Sequence, residues 1–163
     1  MRHLIVIAGL LIAGLIAPAH AGDDGIVLQG ADLKAPLRID AALLQSLPRQ
    51  HLQASEHGRS AQFDGVWLRD VLKKAGAPLG ERLRGPLLRN VLSVQARDGY
   101  AVVFSLAELD DGFRARPVLL ADRRDGKPLS DDEGPLRLVV ADENRPARWI
   151  RQISGFTLML VAP

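Results

Sequence analysis

Two arginines in the C-terminal third of the chain have the chemistry of an anion site. Guanidinium groups bind carboxylates and phosphates through paired hydrogen bonds, so Arg137 and Arg148 together could form a clamp for such a group. The alternative is that Arg137 pairs with an acid of residues 131–133 and that Arg148 is solvated, because surface ion pairs are common. We predict Arg137 and Arg148 as the cofactor- or ligand-binding residues.

Histidine offers a second kind of site, but the ligand set is small. His51 and His57 are six residues apart, so a continuous strand would place both on one face. Zinc requires a third or fourth ligand, and Glu56 would point to the opposite face. We therefore predict no metal site and two solvated histidines. The run Asp131–Glu133 is interpreted as a turn with a solvated acidic face, because calcium needs a richer set of oxygen ligands.

The sequence contains no recognisable catalytic motif. The sequence has no glycine-rich phosphate loop, and its serines lie in no nucleophile-elbow context. A Ser-His-Asp triad stays open as an alternative, although nothing points to it. The chain has no cysteine, which excludes disulfides, thiol redox chemistry and thiolate-bound metals. We assign no catalytic residue.

The charge balance argues against a nucleic-acid binder. The chain has 21 Lys and Arg against 19 Asp and Glu, a formal net charge of +2. Nucleic-acid-binding domains show a strong basic excess on one face, which this composition does not provide. A small anionic ligand or a protein partner is the expectation.

Residues 1–21 have the pattern of a secretory signal peptide. Arg2 and His3 precede an apolar run from Leu4 to Ile16, and Ala19-His20-Ala21 supplies the small residues of a cleavage site. The apolar run is well short of the ~20 residues that span a bilayer. We expect a periplasmic or secreted protein, with no stable membrane insertion after cleavage.

The remainder, residues 22–163, is predicted to be a single α+β domain with a mixed sheet and a few short helices. Asp40 caps a predicted helix through Ala41–Leu47, and a second helix over Val66–Ala75 ends at Gly76. Residues 77–90 are predicted to be a loop. The predicted strands and strand-like segments are Leu37–Ile39, His51–His57, Ser60–Phe63, Val91–Ala96, Tyr100–Phe104, Val118–Ala121, Leu136–Val140 and Phe156–Val161; Ile150–Ile153 is left open between strand and helix.

Four segments in this order resemble the molybdopterin-binding domain of the sulfite oxidase family. They are "LRIDAALLQSLP", "FDGVWLRDVLKKAGAP", "VQARDGYAVVFSLAEL" and "VLLADRRDGKPLSDDEGPLRLVVADENRPARWIRQISGFTL". The resemblance covers roughly residues 33–160, and Arg137 and Arg148 match basic positions of the family. It implies an oxidoreductase fold with a molybdopterin cofactor.

The sequence departs from the resembled family at two places. Catalytic members bind molybdenum through a cysteine that lies between the first helix and the Gly-Val-x-Leu helix. The corresponding stretch here is short and offers Ser55, Glu56 and His57, which are poor substitutes for a soft thiolate. After the Val-Val pair the family commonly has Pro-Gly, whereas this chain has Ala141-Asp142-Glu143, whose carboxylates would repel a pterin phosphate.

Three functions follow from these observations. The first is an exported, non-catalytic module that binds a small anionic ligand or a protein partner. The second is a molybdopterin-dependent periplasmic oxidoreductase with Ser55 or His57 near the metal, or with a metal that has no protein ligand. The third is an interaction module for a membrane sensor or enzyme, with residues 77–90 as its candidate surface.

Overall fold

The computed structural model describes residues 25–115 and 117–163, and this part of the chain forms two sheets and two short helices. The strands and helices in chain order are β1 (Ile26–Gly30), β2 (Leu37–Ile39), α1 (Ala41–Ser46), β3 (Gln50–Glu56), β4 (Arg59–Trp67), α2 (Leu68–Ala75), β5 (Asn90–Ala96), β6 (Ala101–Ser105), β7 (Leu119–Arg124), β8 (Lys127–Pro128), β9 (Arg137–Val139) and β10 (Ile153–Leu160). The predicted signal peptide lies outside the described residues.

The first sheet has the strand order β2-β1-β10-β5-β6, and the second has the order β3-β4-β7-β8 with β9 also paired to β7. Neighbouring strands are antiparallel except for β1 and β10, which run parallel, so the first sheet is mixed. Buried side chains of both sheets belong to one hydrophobic cluster. The predicted α+β fold with a mixed sheet is confirmed.

Local signals account for most of the short elements. The Asp40 side chain accepts a hydrogen bond from the Leu43 backbone N–H at 2.8 Å and so caps α1 as predicted. Gly76 ends α2 in the left-handed conformation with φ 80°, which glycine adopts without strain. Asp98-Gly99 makes the turn between β5 and β6, as this residue pair often does between two strands.

One element prediction was wrong in part. Val66 and Trp67 belong to β4 and not to the second helix, because they pair with Leu120 and Leu119 of β7. Helical spacing of apolar residues could not reveal this pairing, since it depends on a distant strand. Of Ile150–Ile153 only Ile153 lies in a strand. The strand β1 was not predicted.

The segment 77–90 contains two 3₁₀ turns, Gly80–Arg82 and Gly85–Arg89. Its apolar side chains mostly face inward, with Ala77, Leu79 and Leu83 buried and Leu88 exposed. The segment therefore offers little apolar surface for the interaction module considered above. Among the described residues, no helix is both long and apolar enough to cross a membrane.

Candidate functional site

Arg137, at the start of β9, lies in the interior and has no solvent exposure. Its Nη1 donates to Glu133 Oε1 at 2.5 Å, and its Nη2 donates to both carboxylate oxygens of Glu56 at 3.1 Å. Glu133 Oε1 also accepts from Arg124 Nη1 at 2.9 Å. Two guanidinium groups and two carboxylates therefore form one charge-balanced network, which we call the Arg137 cluster.

Aromatic rings enclose this cluster. The Arg137 guanidinium carbon lies 5.1 Å from the centre of the Phe63 ring and 5.9 Å from that of Trp149. The two rings meet edge to face with their centres 6.1 Å apart. Cation–π attraction is stronger where water is excluded, so the rings help to hold the buried charge.

Glu56 reaches Arg137 from the tight turn between β3 and β4. His57 has φ 51° and Gly58 has φ 77°, and two successive positive φ angles are typical of a two-residue hairpin turn. The turn ends β3 at Glu56, within the segment between the two helices in which the resemblance places the family's cysteine. A carboxylate bound to an arginine lies there in this protein.

Arg148 lies in a second and separate ion-pair group. Its guanidinium donates to Glu108 Oε1 at 3.1 Å and to Glu143, and its carbon lies 4.3 Å from the centre of the Phe104 ring. Burial alone would lower the pKa of Arg148, but the hydrogen bonds to Glu143 and Glu108 outweigh it and raise that pKa above its ordinary value. Arg148 is thus paired, and it is not the solvated side chain of the alternative.

Both arginines of the predicted clamp, Arg137 and Arg148, are therefore ion-paired with neighbouring acids. Arg137 pairs with Glu133, in agreement with the alternative that it pairs with an acid of residues 131–133. Arg148 pairs with Glu108 and Glu143. Each arginine has its own carboxylate partners, so an anion would have to displace them. Anion or cofactor binding by Arg137 and Arg148 stays a prediction.

The acidic runs are also paired. Asp142 binds Arg114 and Glu143 binds Arg148, so the phosphate repulsion predicted for residues 141–143 is reduced by these partners. In the run 131–133, Asp132 accepts a hydrogen bond from Ser130 at 2.6 Å, but Glu133 is buried. The prediction of a solvated acidic face is wrong for Glu133, because its carboxylate binds Arg137 and Arg124 and is buried.

The two histidines do not share a site. His57 lies in the hairpin turn beyond β3, so the strand that would align it with His51 ends one residue too early. His51 Nδ1 lies 2.6 Å from Asp64 Oδ1 on the neighbouring strand. Within residues 25–115 and 117–163, no group of three or more metal-ligating side chains comes together.

The buried Asp64 carboxyl makes stability depend on pH. The hydrogen bond from His51 lowers the pKa of Asp64, burial opposes this, and the hydrogen bond from Gln62 lowers it further. A carboxyl whose folded-state pKa lies below its unfolded value, about 3.9, adds stability above that pH and loses it as the pH falls through the folded-state value.

We therefore expect the advantage in melting temperature of the wild type over Asp64→Asn to shrink as the pH falls from about 6 to about 3. Calorimetry or thermal circular dichroism of both proteins across that range measures it. An advantage that stays constant over the whole range would show that the Asp64 charge does not stabilise the fold.

A cleft of about 900 Å³ opens beside α1, where residues from both sheets meet. Its polar side chains include Arg49, Arg97 and Arg123, and neither Arg137 nor Arg148 lines it. Arg49 makes a bidentate pair with Asp122, with nitrogen–oxygen distances of 2.7 and 2.6 Å. This volume is within the range of small-molecule sites.

Sequence reasoning did not single out these cleft residues. No role was assigned to Arg97, which directly follows the predicted strand Val91–Ala96, or to Arg123, which lies two residues after the predicted strand Val118–Ala121. No local pattern connects them, because they belong to turns and strands of different sheets. The only local indication in the sequence was that each arginine lies close to a turn that contains glycine. Side chains near such turns can extend past the edge of their sheet.

Comparison with known proteins gives a family match and a structural match. The model of the family described as "Oxidoreductase molybdopterin binding domain" matches residues 34–158. No curated protein matches the sequence. Among solved structures, the chain is similar to the sulfane dehydrogenase SoxCD from Paracoccus pantotrophus, with a TM-score of 0.65 and 18% identity. The match covers 85% of this chain and 38% of the SoxCD chain, so it shows a shared fold over well under half of that protein's length.

Proposed function

Because this chain belongs to the oxidoreductase molybdopterin-binding domain family, we propose that it is a non-catalytic member that keeps the family's fold as a binding module. The observation that carries the proposal is the Arg137 cluster. Glu56, from the segment between the two helices in which the resemblance places the family's cysteine, forms an ion pair with the buried Arg137. A residue that would otherwise attract an anionic cofactor is thus neutralised from within the chain.

The residues present do not fit a molybdenum centre of the family's kind. Such a centre needs a soft thiolate, and the chain has no cysteine. Two side chains of the hairpin have partners within the chain: Gln53 donates to Ser60 at 2.9 Å, and Glu56 accepts from Arg137. We therefore derive no redox step for this protein.

The proposed module works outside the cytoplasm. The support is the pattern of residues 1–21, with its basic start, apolar run and small residues around His20. The near-balanced charge supports a small anion or a protein as its partner and not a nucleic acid. Detection of the protein in a periplasmic extract, with its N-terminus at Gly22, tests this placement.

Metal content distinguishes the binding module from the alternative oxidoreductase. We expect protein purified from a molybdenum-competent host to contain no stoichiometric molybdenum and no bound pterin, since no thiolate can hold the metal. Inductively coupled plasma mass spectrometry measures the metal, and fluorescence of the oxidised extract measures the pterin.

A cysteine-bearing family member expressed in the same host is the control, because it reports whether cofactor was available. If the control is loaded and this protein is empty, the non-catalytic proposal holds. Stoichiometric molybdenum with pterin in this protein, together with electron transfer to an acceptor, would replace it with the oxidoreductase.

A further inference from the structure

The floor of the cleft beside α1 is apolar and is built from four elements. The apolar lining comes from Ile26 of β1, Ile39 of β2, Leu44 of α1 and Ile153 of β10, together with Leu136 just before β9. All five belong to the hydrophobic core and are at most 8% exposed, so core packing holds them in place. A bound apolar group would extend the core packing into the cleft.

Charged side chains also line the cleft. Its two acids, Asp40 and Asp122, both have hydrogen-bond partners within the chain. Asp122 is bound to Arg49 in the bidentate pair, and an Asp40 oxygen caps α1. Arg123 makes one long hydrogen bond, 3.3 Å, to the Gly126 carbonyl. Among the described residues, no ion pair includes Arg97 or Arg123. The cleft therefore contains two guanidinium groups that no carboxylate binds.

The remaining polar groups limit which anion suits the cleft. Gln45 and Ser154 add neutral hydrogen-bonding capacity, whereas Asp40 adds negative charge and Asp122 is already paired with Arg49. A multiply charged phosphate would be repelled by the Asp40 carboxylate more strongly than a single carboxylate would, since like charges at close range repel. A single carboxylate needs only one or two guanidinium groups, and its apolar body can lie on the floor.

We propose that this cleft binds a small monocarboxylate with an apolar body, and that Arg97 and Arg123 hold its carboxylate. The inference deepens the proposed function, because it rests on the module binding a ligand and names the ligand's class. It places the anion site away from Arg137 and Arg148. Arg49 shapes the cleft, but its charge is already used by Asp122.

The test is a titration of the purified full chain with octanoate, followed by isothermal titration calorimetry and by amide shifts in NMR spectra. Octylammonium has the same apolar body with the opposite charge, and inorganic phosphate has the charge without the body. We expect saturable binding of octanoate, with shifts at residues around Leu44 and Ile153, and at least tenfold weaker binding of the two other probes.

Variants locate the site. Arg97→Ala and Arg123→Ala should each weaken octanoate binding about tenfold, because each removes a charge-assisted hydrogen bond. Arg59→Ala removes an exposed arginine outside the cleft and should leave the affinity unchanged. Ala41→Trp keeps every charge but fills the cleft from an exposed position, and it should weaken binding by a similar factor. Unchanged thermal unfolding of each variant shows that it folds.

Three results would overturn the inference: no octanoate binding at millimolar concentration, equal binding of octylammonium, or octanoate binding that the cleft variants leave intact. Phosphate binding in place of octanoate would do the same. The metal measurement on the same preparation separates this failure from failure of the proposed function. An empty protein that ignores octanoate refutes only the cleft site, whereas bound molybdenum refutes the non-catalytic proposal whatever octanoate does.

Discussion

Arg137→Ala is expected to lower the free energy of unfolding by about 3–5 kcal/mol, because it leaves Glu56 with no guanidinium partner and leaves the buried Glu133 with Arg124 alone. Glu133 is buried, and Glu56 would keep its charge with no guanidinium to bind it. The substitution also removes the cation that Phe63 and Trp149 enclose. For a domain of this size the loss corresponds to a fall in melting temperature of roughly 10 °C. Urea unfolding followed by tryptophan fluorescence measures the free energy.

Two further proteins separate lost charge pairing from simple loss of volume. Arg59→Ala removes an exposed arginine and should change stability by less than about 0.5 kcal/mol. Adding Glu56→Gln to Arg137→Ala should restore part of the loss, since Glu56 is ion-paired only with Arg137 among the described residues and would otherwise keep an uncompensated charge. If Arg137→Ala cost no more than Arg59→Ala, the buried ion-pair network would not exist in solution.

Gly65→Ala is expected to destabilise the protein by about 3 kcal/mol, because strand β7 leaves no room for a side chain there. A methyl carbon on Gly65 would lie 2.0 Å from the Leu120 carbonyl oxygen and 2.8 Å from the Ala121 α-carbon. Both are backbone atoms, so relief requires the central strands β4 and β7 to move apart. The pairing also shifts register between Asp64 and Gly65, and the glycine permits this bulge.

Gly155 supplies the matched control. It also lies in a strand of a sheet, β10, but the nearest atom to a methyl carbon would be the Val27 carbonyl oxygen at 3.8 Å. Gly155→Ala should therefore leave stability unchanged or raise it by up to about 1 kcal/mol, since alanine loses less backbone entropy than glycine. Equal unfolding free energies for the two variants would contradict the close approach of β4 to β7.

Several elements could be predicted because their causes are close together in the chain. Asp40 caps α1 three residues away, Gly76 ends α2, and Ser105 forms a reciprocal capping box with Glu108 before a 3₁₀ turn. Hydrophobic spacing likewise predicted α2 apart from its start. The start was misplaced because Val66 and Trp67 pair with β7, and this interaction overrides the helical pattern that they fit.

The candidate sites were less predictable, because their residues are far apart in sequence. Arg137 was identified as a candidate binding residue. Its pairing with Glu133 could be considered from the sequence because the two residues are only four positions apart. Glu56, its other partner, is 81 residues distant. Arg97 and Arg123 meet at one cleft only because the ends of two sheets come together there.

By itself the sequence determined the chemistry that this protein lacks and the class of fold that it adopts. A chain without cysteine has no thiolate for a metal, whatever its conformation, and alternating apolar residues between turn signals specify short strands wherever they pack. Only the three-dimensional arrangement shows which arginines form ion pairs within the chain and which can still bind an anion. That outcome depends on distances between strands that local periodicity does not encode, so Arg137 is neutralised in the interior while Arg97 and Arg123 lie at an open cleft.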